Sequence, residues 1–267
     1  MIFSRLILIF WCAIYAGGAT AHEFWIDADS YQVAPGERIL GNLRNGQYFE
    51  GTDLAYMTSR FLRFDVIQGD TVQPVAGRMG DSPALNIPAP ADGLVTLVHE
   101  TTPSFVTYKE WKDFKTFADH KDFPEVAARH VANGFPNPPF KERYTRHVKA
   151  LIAVGSGAGM DRVMGLRTEF VALSNPYDPA FDGQMQVQVL YQGAPRANAQ
   201  VEVFERAPEG KVDITLHRTD GDGIAVIPVQ PAHTYLFDAV TLKPILNDDN
   251  AVWDTFWAAL TFAVPAR

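Results

Sequence analysis

The chain has 267 residues, of which 23 are basic and 31 acidic, giving a formal net charge of −8 at pH 7. That length suits one large domain or two of ordinary size. The acidic balance, without any basic cluster, argues against a nucleic-acid partner.

The first 21 residues are typical of a secretory signal peptide. Arg5 precedes the eleven-residue apolar run LILIFWCAIYA, and Ala19-Thr20-Ala21 supplies an A-x-A cleavage site. Eleven apolar residues fall short of the roughly 20 that a membrane-spanning helix needs, which favours a cleaved signal over a membrane anchor. Cleavage after Ala21 makes His22 the first mature residue, and we predict a periplasmic product without a transmembrane segment.

The predicted mature chain keeps 22 basic and 31 acidic residues, a formal charge of −9, and loses Cys12, the single cysteine. It can therefore form neither disulfides nor thiolate metal sites. Any metal site in it must use nitrogen and oxygen ligands.

Residues 22–108 are predicted to form short strands separated by turns. The segment YQVAPGERILGNL carries a Pro-Gly turn between two β-prone runs, and FLRFDVIQGDTVQPV has a hairpin pattern centred on Gly69-Asp70. Short strands at this spacing indicate a β-sandwich. We place an N-terminal β-sandwich domain at residues 22–170.

A helical insertion is predicted within this domain at about residues 109–150. Trp111, Phe114 and Phe117 recur at three-residue steps, as on one face of a helix. Pro124 and Gly134 mark the start and end of a second helix. The segment KERYTRHVKALIAVG is interpreted as a further helix leading into a strand.

The β pattern returns after the turn-rich segment SNPYDPAFDG, which we take as the boundary region between domains. QMQVQVLYQGAPRANAQVEVFE and VDITLHRTDGDGIAVIPV each predict a pair of strands, and FWAALTFAV predicts a last strand. The predicted fold is therefore mainly β, with two immunoglobulin-like or transthyretin-like sandwiches, the second at residues 171–267.

The order of these segments resembles a bacterial exported family, domain of unknown function 4198, associated with nickel and cobalt uptake. The resemblance is carried by AHEFWI, KERYTRHVKALIAVG, SNPY, GQMQVQVLYQGAPRANAQVEVF, RTDGDGIAVIPV and FWAALTFAV. It implies a β-rich periplasmic protein and a context of metal handling.

His22 is the leading candidate metal ligand. As a mature N-terminal residue it offers its amino nitrogen and imidazole Nδ1 as a chelating pair, and both must be neutral to bind a metal. Such nitrogen ligands favour Cu(II) and Ni(II). The alternative is that HEFW simply opens the first strand, with Phe24 and Trp25 as core residues.

Two further histidines are candidate ligands. His99 lies late in the predicted strand VTLVHE, where Glu100 faces the opposite side, so only one of the two can meet His22. His147 follows on ERYTRHVKAL. No H-x-x-x-H or H-E-x-x-H pair exists in the chain, so no helical zinc site is predicted. His120 and His130 are expected at the surface.

Three functions remain open from the sequence. The first is a periplasmic metal-binding protein that captures or hands on a divalent transition metal ion (nickel, cobalt or copper), with a membrane metal transporter as candidate partner. The second is a non-catalytic envelope module that binds a protein or glycan. The third, ranked lowest, is a copper oxidase with a histidine brace, which needs a second histidine facing His22. A binding protein is favoured over an enzyme.

Overall fold

The computed structural model describes residues 22–248 and 250–266. The predicted signal peptide, residues 1–21, lies outside the described residues.

The elements of the first half are β1 (Glu23–Ala28), β2 (Gln32–Val33), β3 (Arg38–Gln47), β4 (Glu50–Leu54), a 3₁₀ turn (Thr58–Arg60), β5 (Phe61–Gln68), β6 (Thr71–Pro74), β7 (Leu85–Pro88), β8 (Gly93–Thr101), β9 (Ser104–Tyr108), α1 (Trp111–His120) and α2 (Val126–Ala132). Those of the second half are β10 (Phe140–Val154), β11 (Thr168–Ala172), β12 (Gln184–Tyr191), β13 (Ala194–Pro195), β14 (Gln200–Arg206), β15 (Val212–Arg218), β16 (Ile224–Pro228), β17 (Thr234–Pro244) and β18 (Trp253–Ala263). The predicted mainly β fold is confirmed.

Within the described residues, ten strands form a central sheet. Its main path runs β15-β14-β17-β18-β10-β8-β5-β6, and β2 and β9 also pair with β10. One small sheet contains β1, β3, β4 and β7, and another contains β11, β12, β13 and β16.

Strands β10 and β18 join the two halves of the chain. They pair in parallel, from Glu142 opposite Trp253 to Ala150 opposite Thr261. Both strands are buried along most of their length, as expected of parallel strands covered on both faces. Each Val, Leu, Ile or Phe side chain fully buried there stabilises the fold by about 1.5–3 kcal/mol.

The central sheet therefore contains strands from both predicted domains. The boundary expected between residues 170 and 171 falls inside β11, in the middle of a buried strand. Arg206 of β14 also donates hydrogen bonds to both carboxylate oxygens of Asp27 in β1, at 2.9 and 3.2 Å. The two predicted units thus share one sheet and one large hydrophobic core.

The two small sheets cover opposite faces of β10. Arg146 contacts the residue directly before β1, whereas Lys149 Nζ lies 3.8 Å from Glu169 Oε2 in β11. Side chains three apart on a strand point to opposite faces. The result is a layered β architecture in which β10 lies at the centre.

The insertion contains the two helices α1 and α2, but the helix expected in KERYTRHVKALIAVG is wrong. That segment is strand β10, because its charged residues find buried partners instead of solvent. Glu142 accepts hydrogen bonds from Tyr108 and Thr255, and Lys149 Nζ donates to Asp161 at 2.6 Å. Strand β10 is rich in charged residues, as a solvent-exposed helix is, and this composition favoured the helical prediction.

No helix among the described residues is both long and apolar enough to cross a membrane.

Candidate functional site

A cleft lies between the start of β1 and the strands β8, β9 and β10. It consists of two adjoining cavities of about 670 and 170 Å³. Both are lined by Asn45, Phe105, Tyr144 and Arg146. We call this the Arg146 cleft. Its combined size is that of a small-molecule site.

Strand alternation decides which side chains reach the cleft. Arg146 and His147 are neighbours on β10 and so point to opposite faces, as do His99 and Glu100 on β8. Arg146 and His99 line the cleft, whereas His147 Nε2 lies 3.6 Å from Glu100 Oε1. The prediction that His99 and Glu100 face opposite sides agrees with this arrangement.

His99 is almost fully buried in the larger cavity. Its ring centroid lies 5.2 Å from that of Phe24, 5.4 Å from Phe61 and 5.0 Å from Phe64. Neither ring nitrogen has a hydrogen-bond partner among the described residues. Burial lowers the pKa of His99 to about 3, so the imidazole stays neutral and keeps a lone pair for a ligand.

His22 lines the smaller cavity together with Trp257. Its backbone carbonyl oxygen accepts a hydrogen bond from Arg146 Nη2 at 2.7 Å. His22 and His99 therefore border neighbouring parts of the same cleft. Both were predicted as metal ligands from the sequence, and in the structure they line adjoining cavities.

His147 does not share that cleft. It is buried on the other face of β10, and its Nδ1 lies 3.2 Å from the carbonyl oxygen of Trp257. The predicted helix did not show toward which side the His147 side chain points. In strand β10 it points away from the cleft. His22, His99 and His147 form no three-residue group with ligand atoms within 4.8 Å of one another in the described part of the chain.

Arg146 is the cleft residue that the sequence did not single out. It is 9% exposed, and burial lowers the pKa of its guanidinium from the usual value. The guanidinium carbon lies 4.5 Å from the Tyr144 ring centroid, 5.9 Å from that of Phe24 and 5.8 Å from that of Trp257. Glu142, Tyr144 and Arg146 alternate along β10 and share one face, but the residues between them are equally polar, so no polar–apolar alternation in the sequence indicated a strand.

A second group of chemical interest is an acidic cluster of Glu23, Glu202 and Asp238 around Lys121. The Lys121 ammonium donates to these three carboxylates at 2.9, 2.6 and 3.0 Å. Burial raises the pKa of Asp238 to about 7. The three acidic side chains are close enough to hold a cation, and the Lys121 ammonium fills that role.

His120 and His130 form hydrogen bonds with other parts of the chain and lie outside the cleft. His130, expected at the surface, is buried. Its Nδ1 accepts a hydrogen bond from Trp253 Nε1 at 3.1 Å, so its Nε2 carries the proton and donates to the Pro136 carbonyl oxygen at 2.9 Å. His120 Nε2 lies 3.1 Å from Glu202 Oε1, and this hydrogen bond raises the pKa of His120.

Fold and cleft together define a mainly β protein with a buried cation facing a ligand-sized cleft. No curated protein matches the chain. A solved structure described as a tetra-tandem repeat in the extending region of a large adhesion protein is 11% identical, with a TM-score of 0.21. That alignment covers 91% of this chain and 50% of the other, so the chain spans about half the length of that structure.

A family model described as a domain of unknown function (DUF4198) matches residues 19–243. Since the match spans most of the chain, the protein belongs to the DUF4198 family. The resemblance to this family is thus confirmed, and the association with nickel and cobalt uptake stays a prediction.

Proposed function

We propose that this protein is an exported periplasmic metal-binding protein that captures a divalent transition metal ion, nickel, cobalt or copper, at a mature N-terminal His22. His99 is the proposed second ligand, and a membrane metal transporter is the proposed recipient. The observation that carries the proposal is the placement of His22 and His99 on adjoining cavities of one cleft.

The donor set suits such an ion. The imidazoles of His22 and His99, with the amine that cleavage after Ala21 would create, are the nitrogen ligands that these metals favour. His99 is held neutral by burial, so no proton competes for it at neutral pH. When bound, the metal would be held rather than used for a reaction, since the proposal is one of capture and transfer.

The test compares two forms of the protein. One begins at His22, and the other carries a single glycine before His22, which moves the free amine away from the imidazole. Titration calorimetry with Ni²⁺, Co²⁺ and Cu²⁺ should show affinity at least about tenfold weaker, or 1.4 kcal/mol, for the extended form. Equal affinities for the two forms would refute the N-terminal site.

Two variants locate the second ligand. His99→Phe keeps the aromatic packing but removes both ring nitrogens, and it should weaken binding to the form that begins at His22. His217→Ala removes a histidine of β15, on the edge of the central sheet, and should leave binding unchanged. An effect of His217→Ala equal to that of His99→Phe would count against the cleft as the site.

A further inference from the structure

Arg146 is a buried cation with no carboxylate within ion-pair distance among the described residues, although the charges of Glu142 and Asp238 act on it from further away. Among residues 22–248 and 250–266, no acidic oxygen forms an ion pair with its guanidinium. Its Nη2 donates to the His22 carbonyl oxygen, and its Nε has no hydrogen-bond partner there. By contrast, Arg143 and Arg206 each donate two hydrogen bonds to one aspartate, Asp254 and Asp27 respectively.

A buried charge is normally paired, because removal from water is costly unless an opposite charge or a full set of hydrogen bonds compensates. The rings of Tyr144, Phe24 and Trp257 near the guanidinium compensate in part through cation–π attraction. They supply no acceptor for its Nε–H, which has no hydrogen-bond partner among the described residues. The arrangement is therefore suited to an anion that enters from outside the chain.

The surroundings of the guanidinium indicate what kind of anion fits. Arg146 lines both cavities of the cleft. The larger one has an apolar wall formed by Phe24, Leu43, Leu54, Met57, Phe61 and Phe105. Asn45 and Ser104 add polar groups beside it. One buried cation next to an extended apolar wall matches a ligand with one negative charge and an apolar body.

We infer that the Arg146 cleft binds a small organic monocarboxylate, with its carboxylate on the Arg146 guanidinium and its apolar body against Phe24, Phe61 and Phe105. Arginine binds carboxylates through two parallel N–H···O hydrogen bonds. The unpartnered Nε–H and the second hydrogen of Nη2, whose first is donated to the His22 carbonyl oxygen, provide that pair. A phosphate dianion would need a second buried cation. Arg60, which also lines the cleft, is exposed and does not supply one. This inference goes beyond the metal proposal and does not require it.

The first experiment uses a matched pair of ligands on the glycine-extended protein without any substitution. Phenylacetate and phenylacetamide have nearly the same shape, but only phenylacetate is charged at pH 7. They are titrated into the glycine-extended, metal-free protein, followed by amide chemical shifts, so that a failed metal site cannot affect the result. Phenylacetate should bind at least about tenfold more tightly than the amide.

The second experiment changes the protein. Arg146→Gln should abolish the preference for phenylacetate over phenylacetamide, and Arg167→Gln should retain it. Arg167 is the matched control because its guanidinium lies over the Phe256 ring, 4.6 Å from the centroid, and does not line the cleft. If Arg146→Gln fails to fold, the ligand pair on the glycine-extended protein without substitutions still decides the question.

Three results would overturn the inference. They are equal binding of phenylacetate and phenylacetamide, no binding of acetate, hexanoate or phenylacetate, and tighter binding of inorganic phosphate than of any of these carboxylates. The metal proposal is tested on the form that begins at His22, so either proposal can fail while the other survives.

Discussion

Arg146 Nη2 donates a hydrogen bond to the backbone carbonyl oxygen of His22 at 2.7 Å, across 124 positions of sequence. The contact ties the residue before β1 to the middle of β10 and keeps His22 at the cleft. It also places a buried cation beside the predicted mature N-terminus. Both proposals for this protein, a metal at His22 and a carboxylate on Arg146, depend on this region.

The His99 imidazole should make stability depend on pH. Its pKa is about 3 in the folded protein and about 6.5 when unfolded, so the unfolded chain binds more protons between those values. Stability is therefore full above pH 6.5 and falls as the pH is lowered. From pH 7 to pH 5, protonation of His99 in the unfolded chain should lower the free energy of unfolding by about 2 kcal/mol.

His99→Phe removes this titration and retains packing against Phe24, Phe61 and Phe64. Urea unfolding at pH 7 and pH 5 should show that the variant loses about 2 kcal/mol less than the unmodified protein. An equal loss in both proteins would mean that His99 is protonated in the folded state.

Glu142 should make stability depend on pH in the opposite sense to His99. Burial raises its pKa to about 7, above the usual value of about 4.3, so the folded protein binds more protons between these values. The contribution is present at low pH and is lost as the pH rises towards 7. From pH 4 to pH 8, the free energy of unfolding of the unmodified protein should fall by about 3 kcal/mol through Glu142. Glu142→Gln, whose side chain stays neutral, should not show this loss.

Thermal or urea unfolding of both proteins across that range measures the difference. Asp238 also has a pKa of about 7, but it is present in both proteins and its effect cancels. A constant difference between Glu142→Gln and the unmodified protein at all pH values would contradict this prediction.

Lys121 should matter far more to stability than a surface lysine of the same helical region. Lys121→Met leaves the carboxylates of Glu23, Glu202 and Asp238 buried without their cation, at a cost of about 3–5 kcal/mol. Lys115→Met breaks an exposed ion pair with Asp119, at 2.5 Å, and should cost less than about 1 kcal/mol.

Urea unfolding at pH 7.5 compares the two lysine variants. The gap between them should narrow at pH 4.5, where protonation relieves the unpaired carboxylates. Equal destabilisation by both substitutions would show that the acidic cluster does not need its lysine.

His147 provides a test of how the histidines divide between the two faces of the sheet. His147→Phe should leave the Ni²⁺ affinity of the form that begins at His22 unchanged, because its ring lies on the other face of β10. His99→Phe should lower that affinity. Calorimetry on both variants, with circular dichroism to verify folding, distinguishes them. A lower affinity in His147→Phe alone would reverse the proposed ligand assignment.

Local features of the chain were predictable from the sequence by itself. The hairpin centred on Gly69-Asp70 forms as β5 and β6, with Gln68 opposite Thr71 and Gly69 at φ 54°. Trp111, Phe114 and Phe117 lie on helix α1, with both phenylalanines buried. These features depend on turn chemistry and on periodicity within a few residues, so each is encoded where it occurs.

The tertiary structure alone decided the parallel pairing of β10 with β18, the burial of Arg146 and the separation of His147 from His99. Each depends on groups about 50 to 120 positions apart. Glu142 and Arg146 have the composition of a solvated helix face, and distant partners such as Thr255 and His22 make a buried strand stable there. The sequence by itself determined which local elements form and that His22 and His99 are candidates. Long-range pairing determined the face of the sheet on which each side chain acts.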